Sequence, residues 1–361
     1  MKVSNKKILI VNYIGKNLWW IDLDWLRKFV YYDHISLTET NFKFFNRLLL
    51  TIKLTLLVEK LLNYKAIIFI TPPFFNFFIA FLLNKIFGKR VISVVLDDSP
   101  QMILENSACS SFEHILRRYI LYHVYSFLEY FTIRNSTAIF CCSKYLCKKY
   151  KKWNKNVFYS PNGSQIEYIE KIKKKKAVSE PYIYYYGGFQ VWRGIDLLIN
   201  AFSEVKKVYN YPLKLVLVGG TKKEIYYYPN LRPLLRKKDV VYLGHLPRSE
   251  TIAFLKGAKI AVLPNRDTPM SHAISSVKSF DYIAAEIPQV CTNTGDHAEW
   301  VKKTNAGIVV EPTVDGIKKG ILELLINRKK YKSIRRNCRK NKNKIECHYL
   351  KKSFIRYICR L

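Results

Sequence analysis

Residues 271–290, SHAISSVKSFDYIAAEIPQV, read as a polar loop rich in Ser, a short helix opened by Lys278 and Asp281, and Pro288 leading back into a strand. A loop that feeds a helix N-terminus presents unpaired backbone N–H groups and the positive end of the helix dipole, a setting suited to phosphate. Lys278 places a cation where the dipole alone favours a carboxylate, so it is misplaced unless an anion sits beside it. Phe280, Ile283 and Ala284 supply the buried stripe, which leaves Asp281 near the loop and able to accept hydrogen bonds from sugar hydroxyls. An amphipathic helix with two solvated charges fits the same spacing.

Working outward, the chain alternates apolar runs with helical patterns on both sides of this stretch. Upstream, IYYYGGFQVWRGIDLLINAF (183–202) is a strand, a glycine turn at Gly187 and Gly188, and a helix with Ile195, Leu198, Ile199 and Phe202 at helical spacing. Arg193 can bond a phosphate bidentately, or pair with Asp196. KLVLVGG (214–220), VVYLGHL (240–246), IAVLPN (260–265), QVCTN (289–293) and GIVVEP (307–312) continue as strands. Gly219 and Gly220 let the backbone approach a phosphate.

The first half is built the same way. Lys7 to Val11 is a buried parallel strand, and its carboxyl end, where ligands of open α/β sheets gather, carries the lone Gly15 with Trp19 and Trp20 opening a helix over 19–30. Asp22 and Asp24 form a DxD, but carboxylates two apart on a helix diverge, which disfavours a shared metal. Residues 42–62 read as a largely apolar helix with interspersed basic residues, a core element or a membrane-surface one. Pro72 and Pro73 break the apolar block 66–96 into strand, turn, helix and strand, leaving no run of about 20 apolar residues to span a bilayer. Asp97 and Asp98 follow that strand and either orient an acceptor hydroxyl or cap the next helix. His114 and His123 sit in a helical pattern as surface or packing residues. Residues 136–143 and 156–163 are two further strands, the second closing on the turn Pro161, Asn162 and Gly163. The basic stretch after it, through Pro181, reads as solvated linker or lipid-facing patch.

At 361 residues the chain exceeds what one core usually organises. Formal net charge is +34, which calls for an anionic partner: nucleic acid, acidic lipid or a phosphorylated small molecule, with part of the excess owed to composition. Eight cysteines show no paired CxxC spacing, so neither a zinc site nor a disulfide framework is expected and a reducing cytoplasm fits. The opening MKVSNKKILIV is too short an apolar run for a secretory signal. Basic and aromatic residues are dispersed rather than interleaved in one domain, which argues against nucleic acid. No GxGxxG with a downstream acid is present, against a Rossmann oxidoreductase.

SSVKSFDYIAAEIPQVCT resembles the "sP-x-K-x-x-E-Y-x-A-x-G-x-P-V-V-A-T" segment of glycosyltransferase family 4, the group 1 glycosyl transferases, whose fold is called GT-B. NVFYSPNG is similar to the family's "V-x-x-x-P-N-G-V-D", and YYGGFQVWRGIDLLINAF to its "Y-x-G-x-x-x-x-K-G-x-x-x-L-x-x-A-F". The resemblance implies an α/β architecture of two facing Rossmann-like domains: an N-terminal acceptor domain (1–165) rejoined by a C-terminal helix (345–361), a basic linker (166–181), and a nucleotide-sugar domain (182–344). It implies transfer of a sugar from a nucleotide diphosphate sugar to a hydroxyl with retention, and positive side chains at the diphosphate would serve without a metal or other cofactor. The basic, aromatic-rich first domain suits a lipid-linked glycan at the cytoplasmic face of an anionic membrane, with a protein or another glycan open as acceptor. Arg193 and Lys278 would grip the diphosphate with Ser275 and Ser276, Asp281 would bind the ribose, and His245 and Leu246 would line the base pocket. The sequence departs from the pattern at Gly188, where many relatives have Arg, at Ala273, where the wider family has a second acid, at Leu96, where many have His, and at Glu286, where Gly is usual. A weakened transferase, or a GT-B epimerase or phosphorylase, therefore stays open.

Overall fold

The computed structural model describes residues 4–12, 30–36, 52–56, 58–71, 76–105, 112–226 and 228–361. Within them, β-branched and aromatic runs form two six-stranded sheets in which every pairing is parallel. The first comprises β1 (Ser4–Asn12), β2 (Val30–Ser36), β3 (Ala66–Thr71), β4 (Arg90–Val95), β5 (Ala138–Cys141) and β6 (Val157–Tyr159), in the order β2-β1-β3-β4-β5-β6. The second comprises β7 (Tyr182–Gly187), β8 (Lys214–Gly219), β9 (Val240–Tyr242), β10 (Ile260–Leu263), β11 (Gln289–Thr292) and β12 (Gly307–Val310), in the order β12-β11-β10-β7-β8-β9. Helices cover both faces, so strands such as IVV or VLV are apolar throughout rather than alternating. In the second sheet the chain runs outward from β7 to β9, then returns beside β7 with β10. The β7/β10 gap is thus a topological switch point, where the loops at the carboxyl ends separate and leave a crevice.

The helices that frame the sites are, in chain order, α1 (Ser99–Glu105), α2 (Phe112–Arg134), α3 (Lys144–Lys151), α4 (Ile166–Lys171), α5 (Ile195–Val208), α6 (Arg248–Gly257), α7 (Pro269–Ala273), α8 (Val277–Ala284), α9 (Gly295–Thr304), α10 (Val314–Ile326), α11 (Arg328–Asn341) and α12 (Lys352–Cys359). Helix α5 buries Ile195, Leu198, Ile199, Phe202 and Val205, the stripe expected from its spacing, and packs beside α10. Helix α12 leaves the second domain and buries Phe354 and Ile358 on the first sheet, with the Phe354 ring edge-on to Phe140 at 5.0 Å.

The two chain crossings between domains run side by side. Ser164 N–H donates to the Ile345 carbonyl (2.9 Å) and Cys347 N–H to that of Ser164 (3.0 Å). Gly163 is required there because a Cβ would lie 2.7 Å from the Cα of Cys347.

Several expectations change. Tyr32 and its neighbours form β2, where the helical reading of 19–30 had its end; residues 19–29 lie outside the described residues. The helix expected over 42–62 is helical at 52–56 and 58–61, and 42–51 and 57 lie outside the description. Only part of the linker is solvated: α4 buries Ile166 and Ile169 in the second domain's core, while Lys173–Lys176 are exposed. The Ser-rich loop begins later than expected, because Thr268 caps α7 by accepting from Ser271 N–H, which makes residues 269–273 helical. Among the described residues no helix is long and apolar enough to cross a membrane.

Candidate active site

The carboxyl ends of β4, β7, β10 and β11 meet between the domains. Arg193 follows β7 on a short 3-10 turn, Val191–Arg193, and its guanidinium lies over the Trp192 ring, 3.9 Å from the ring centre. Its Nε donates to Gln190 Oε1 (3.3 Å), and Gln190 in turn donates to Glu224. The alternative pairing with Asp196 does not occur: Asp196 pairs with Arg266.

Lys278 stands in the first turn of α8, and its stem crosses Gly187, where a Cβ would fall 2.0 Å from Lys278 Cε. Gly187 has φ +138°, so the glycine both permits the turn and makes room for the lysine. Burial and the nearby Arg193 charge push the Lys278 ammonium well below its usual pKa, and burial likewise lowers Arg193. Among the described residues neither cation forms an ion pair. From the first domain, the carboxylate whose charge acts on both is Asp97, just beyond β4. Burial raises its pKa to about 6, against the opposing pull of Arg193 and Lys278.

Asp98, expected beside Asp97, is turned the other way. It takes the capping alternative, accepting from Gln101 N–H at 3.2 Å, and pairs with Lys149 at 2.9 Å. Lys149 also holds the buried Glu129 at 2.6 Å, whose pKa burial raises to about 7.

The glycines after β8 are also revised. A Cβ on Gly219 would lie 2.2 Å from the Gly187 carbonyl oxygen and one on Gly220 2.5 Å from the Phe189 ring, and their N–H groups already donate to the Gly244 (2.6 Å) and Gly187 (3.0 Å) carbonyls rather than standing free for a phosphate. At Gly188, Gln190 Oε1 stands 2.4 Å from where a Cβ would be, filling the position from which many relatives extend an arginine. A Cβ on Gly244 (φ +68°) would meet no described residue within 4 Å, and the following His245 is exposed and Leu246 half-buried, which leaves this edge open.

Asp281 differs from expectation. It is fully buried, accepting from Ser164 Oγ and Tyr186 Oη at 2.6 Å each, with Arg248 Nη1 at 3.6 Å. Burial raises its pKa while Arg248 and these hydroxyls oppose the rise. Both oxygens already have partners within the protein, so this carboxylate ties α8 to the interdomain crossing rather than facing the cleft. Ser275 is also engaged across the domains: its carbonyl accepts from Asn162 Nδ2 (2.9 Å) and its hydroxyl from Asn162 N–H (3.3 Å). Ser276 caps α8 in position, and its buried hydroxyl has no partner among the described residues.

The two departures at Leu96 and Ala273 come together. Cys142 Sγ donates to the Leu96 carbonyl (2.9 Å) and lies 3.6 Å from that of Ala273, so two positions carrying His and acid in many relatives are here an apolar interdomain contact. At Glu286 the backbone takes φ +58°, the left-handed region a glycine serves, and Arg339 holds the carboxylate at 2.8 and 3.0 Å. Gly15, Trp19 and the DxD lie outside the described residues. Among the described residues no cluster of three or more His, Cys, Asp and Glu could hold a metal.

Sequence reasoning missed His297, at the start of α9, and Asn265, just after β10, both fully buried at this edge. It also missed Glu224, although Thr221-x-x-Glu224 is a capping box: Thr221 N–H donates to the Glu224 carboxylate (2.8 Å) and Glu224 N–H to the Thr221 hydroxyl (3.1 Å).

Two parallel-sheet domains, a crossover helix returning to the first and a cationic crevice at the second sheet's switch point define the GT-B class. Residues 168–341 match the family model described as Glycosyl transferases group 1. Solved structures share the fold over nearly the whole chain. The sucrose-phosphate synthase from Thermosynechococcus elongatus is 12% identical with a TM-score of 0.72, covering 98% of both chains. Anabaena HepE in complex with UDP-glucose is 13% identical (TM-score 0.69), covering 98% of this chain and 100% of that one. The α,α-trehalose-phosphate synthase (UDP-forming) from Burkholderia vietnamiensis is 10% identical (TM-score 0.72), covering 99% of each. No curated protein sequence matches the chain.

Proposed function

We propose that this protein transfers a sugar from a nucleoside diphosphate sugar to a hydroxyl of a glycan or lipid-linked glycan, with retention of configuration. The observation that carries the reading is the juxtaposition of Arg193 and Lys278, two cations driven together at a switch point with no ion-pair partner among the described residues. Like charges so placed repel, and a diphosphate between them removes the repulsion while the N-terminus of α8 adds its N–H groups. These side chains supply the positive charge that the departing diphosphate needs, without recourse to a metal. Asp97, across the cleft, stands where an acceptor hydroxyl would be oriented and relieved of its proton. The open edge at Gly244, His245 and Leu246 takes the base. HepE, bound to UDP-glucose, supports a uridine nucleotide as the first donor to try.

A thermal-shift panel of nucleoside diphosphates and their sugars tests this. A ligand at 100 times its dissociation constant stabilises the folded state by about 2.7 kcal/mol, a shift of several degrees. A panel in which no nucleotide moves the midpoint, while RNA or DNA does, overturns the assignment in favour of a nucleic-acid-binding protein.

The acceptor side points to an anionic membrane at the cytoplasmic face. Helix α2 presents Ile115, Leu116, Tyr119, Ile120 and Phe127 on one solvent face, with Phe127 64% and Tyr119 57% exposed, and Arg117 is exposed at its margin. Apolar side chains beside basic ones on a chain of net charge +34 suit acidic headgroups over neutral ones. The protein is expected to sediment with vesicles of phosphatidylcholine and phosphatidylglycerol but not with phosphatidylcholine alone, and Ile120→Asp with Phe127→Asp to abolish it. Sedimentation indifferent to both the lipid charge and the substitutions would remove this face from the account.

A further inference from the structure

His297 and Asn265 are polar side chains with no exposure to solvent, and both imidazole nitrogens and both amide atoms lack a hydrogen-bond partner among the described residues. Leaving such groups unpaired destabilises the folded chain, and native proteins seldom do so without cause. Both lie beyond carboxyl ends of the second sheet, Asn265 after β10 and His297 in the first turn of the helix after β11. Asn265 follows Pro264, whose carbonyl oxygen sits 2.1 Å from where a Cβ on Gly194 would fall. It precedes Arg266, whose N–H donates to the Trp192 carbonyl at 2.9 Å. Asn265 is therefore directly under the Trp192–Arg193–Gly194 turn. Its own carbonyl accepts from the Thr292 hydroxyl at 2.7 Å, which joins the end of β10 to the end of β11, and the chain beyond β11 leads into α9 and His297. Burial, reinforced by the charges of Arg193 and Lys278, holds the pKa of His297 down to about 3. It is thus a neutral imidazole with one N–H to give and one lone pair to fill. Trp192 Nε1 and Ser276 Oγ are further buried groups without partners beside the same two cations.

Arg193 and Lys278 account for a diphosphate. A neutral imidazole and a carboxamide do not: they suit groups that both give and accept a hydrogen bond, which a sugar hydroxyl does and a phosphate oxygen does not. We propose that His297 and Asn265 read hydroxyl groups of the transferred sugar, with His297 the specificity-determining residue. This rests on the sugar-transfer reading above and adds to it which side chains select the sugar. A hydrogen-bonding pocket of this kind discriminates strongly, because a ligand lacking the hydroxyl leaves buried protein groups unpaired.

The test is calorimetric titration of the full chain with UDP against UDP-glucose and, in parallel, GDP against GDP-mannose. His297→Phe is expected to lose at least tenfold in affinity for the sugar nucleotide while binding the nucleoside diphosphate as the wild type does. His297→Gln, which keeps a donor and an acceptor, is expected to recover most of that loss. Without ligand, His297→Phe is expected to melt no lower than the wild type, since it removes unpaired buried groups. Equal loss toward the nucleotide and its sugar, or unchanged affinity for both, would overturn the assignment of His297. A lower midpoint for both variants would do the same, by showing a structural role. A wild type that binds neither these pairs nor any other nucleoside diphosphate and its sugar would overturn the sugar-transfer reading itself and this one with it.

Discussion

Replacing Lys278 with alanine is expected to lower turnover about 10²- to 10³-fold, the usual loss when one group that stabilises a developing negative charge is removed from a preorganised site. The fold should survive. Burial and Arg193 push the ammonium well below its ordinary pKa, so holding it charged in the ligand-free protein costs stability. The sign follows from linkage. A lysine with a depressed folded pKa binds fewer protons in the native state than in the unfolded one, so stability rises with pH up to the unfolded pKa and falls as pH is lowered. Lys278→Ala should flatten that dependence and melt no lower than the wild type near pH 7, a combination that separates a functional charge from a structural one. A diphosphate reverses the electrostatics: donor binding should draw a proton onto Lys278, visible as a dependence of binding heat on the ionisation enthalpy of the buffer. Near-wild-type turnover of Lys278→Ala, measured with the donor that shifts the melting point, would refute the cradle. Gly187 ties backbone to function here, because the lysine stem lies across its Cα.

What the sequence discloses of this arrangement is uneven, for physical reasons. Strands β7 to β12 are legible because buried parallel strands are continuous apolar runs, and the intervening helices carry an unmistakable period, as Ile195, Leu198, Ile199 and Phe202 do. Strand β2 is hidden, because VYYDHIS follows a Trp-rich stretch with helical spacing and its Tyr residues suit either element. Arg193 and Lys278 stand out locally, one after a glycine turn and the other a cation in a first helical turn, but that they meet is a property of sheet order. Asp97 and Asp98 show the limit most plainly. Adjacent residues leaving a strand point to opposite sides, so spacing offers two carboxylates and only the fold tells that one faces the cleft while the other caps α1. Gly219 and Gly220 mislead in the converse way: a glycine reports that something comes close, and here it is Gly187 and Phe189. His297 is silent in sequence because its significance lies in the partner it lacks.

The pH dependence follows from Asp97. Its pKa, raised by burial to about 6, lies in reach of neutral pH, and Arg193 and Lys278 keep it from rising further. If the carboxylate form receives or orients the acceptor proton, kcat/KM, which reports the free enzyme, rises with pH through about 6. Donor binding places a diphosphate against the two cations, weakens their hold on Asp97 and shifts its titration upward, so the corresponding limb of kcat lies at higher pH. Asp97→Asn should abolish both limbs and reduce turnover about 10²- to 10⁴-fold, the range of a lost general acid–base group. Stability moves the opposite way. A carboxyl whose folded pKa exceeds its unfolded value binds more protons when native, so the wild type loses stability as pH climbs from about 4 to about 6, and Asp97→Asn does not. Asp98→Asn is the internal control. It removes the charge that pairs with Lys149 and lowers the melting point, while the limb in the pH profile of turnover persists, moved to lower pH because Asp98 no longer raises Asp97. If Asp97→Asn kept the limb near 6, the proton would have to be handled elsewhere, and the first domain would contribute shape to the cleft but no chemistry.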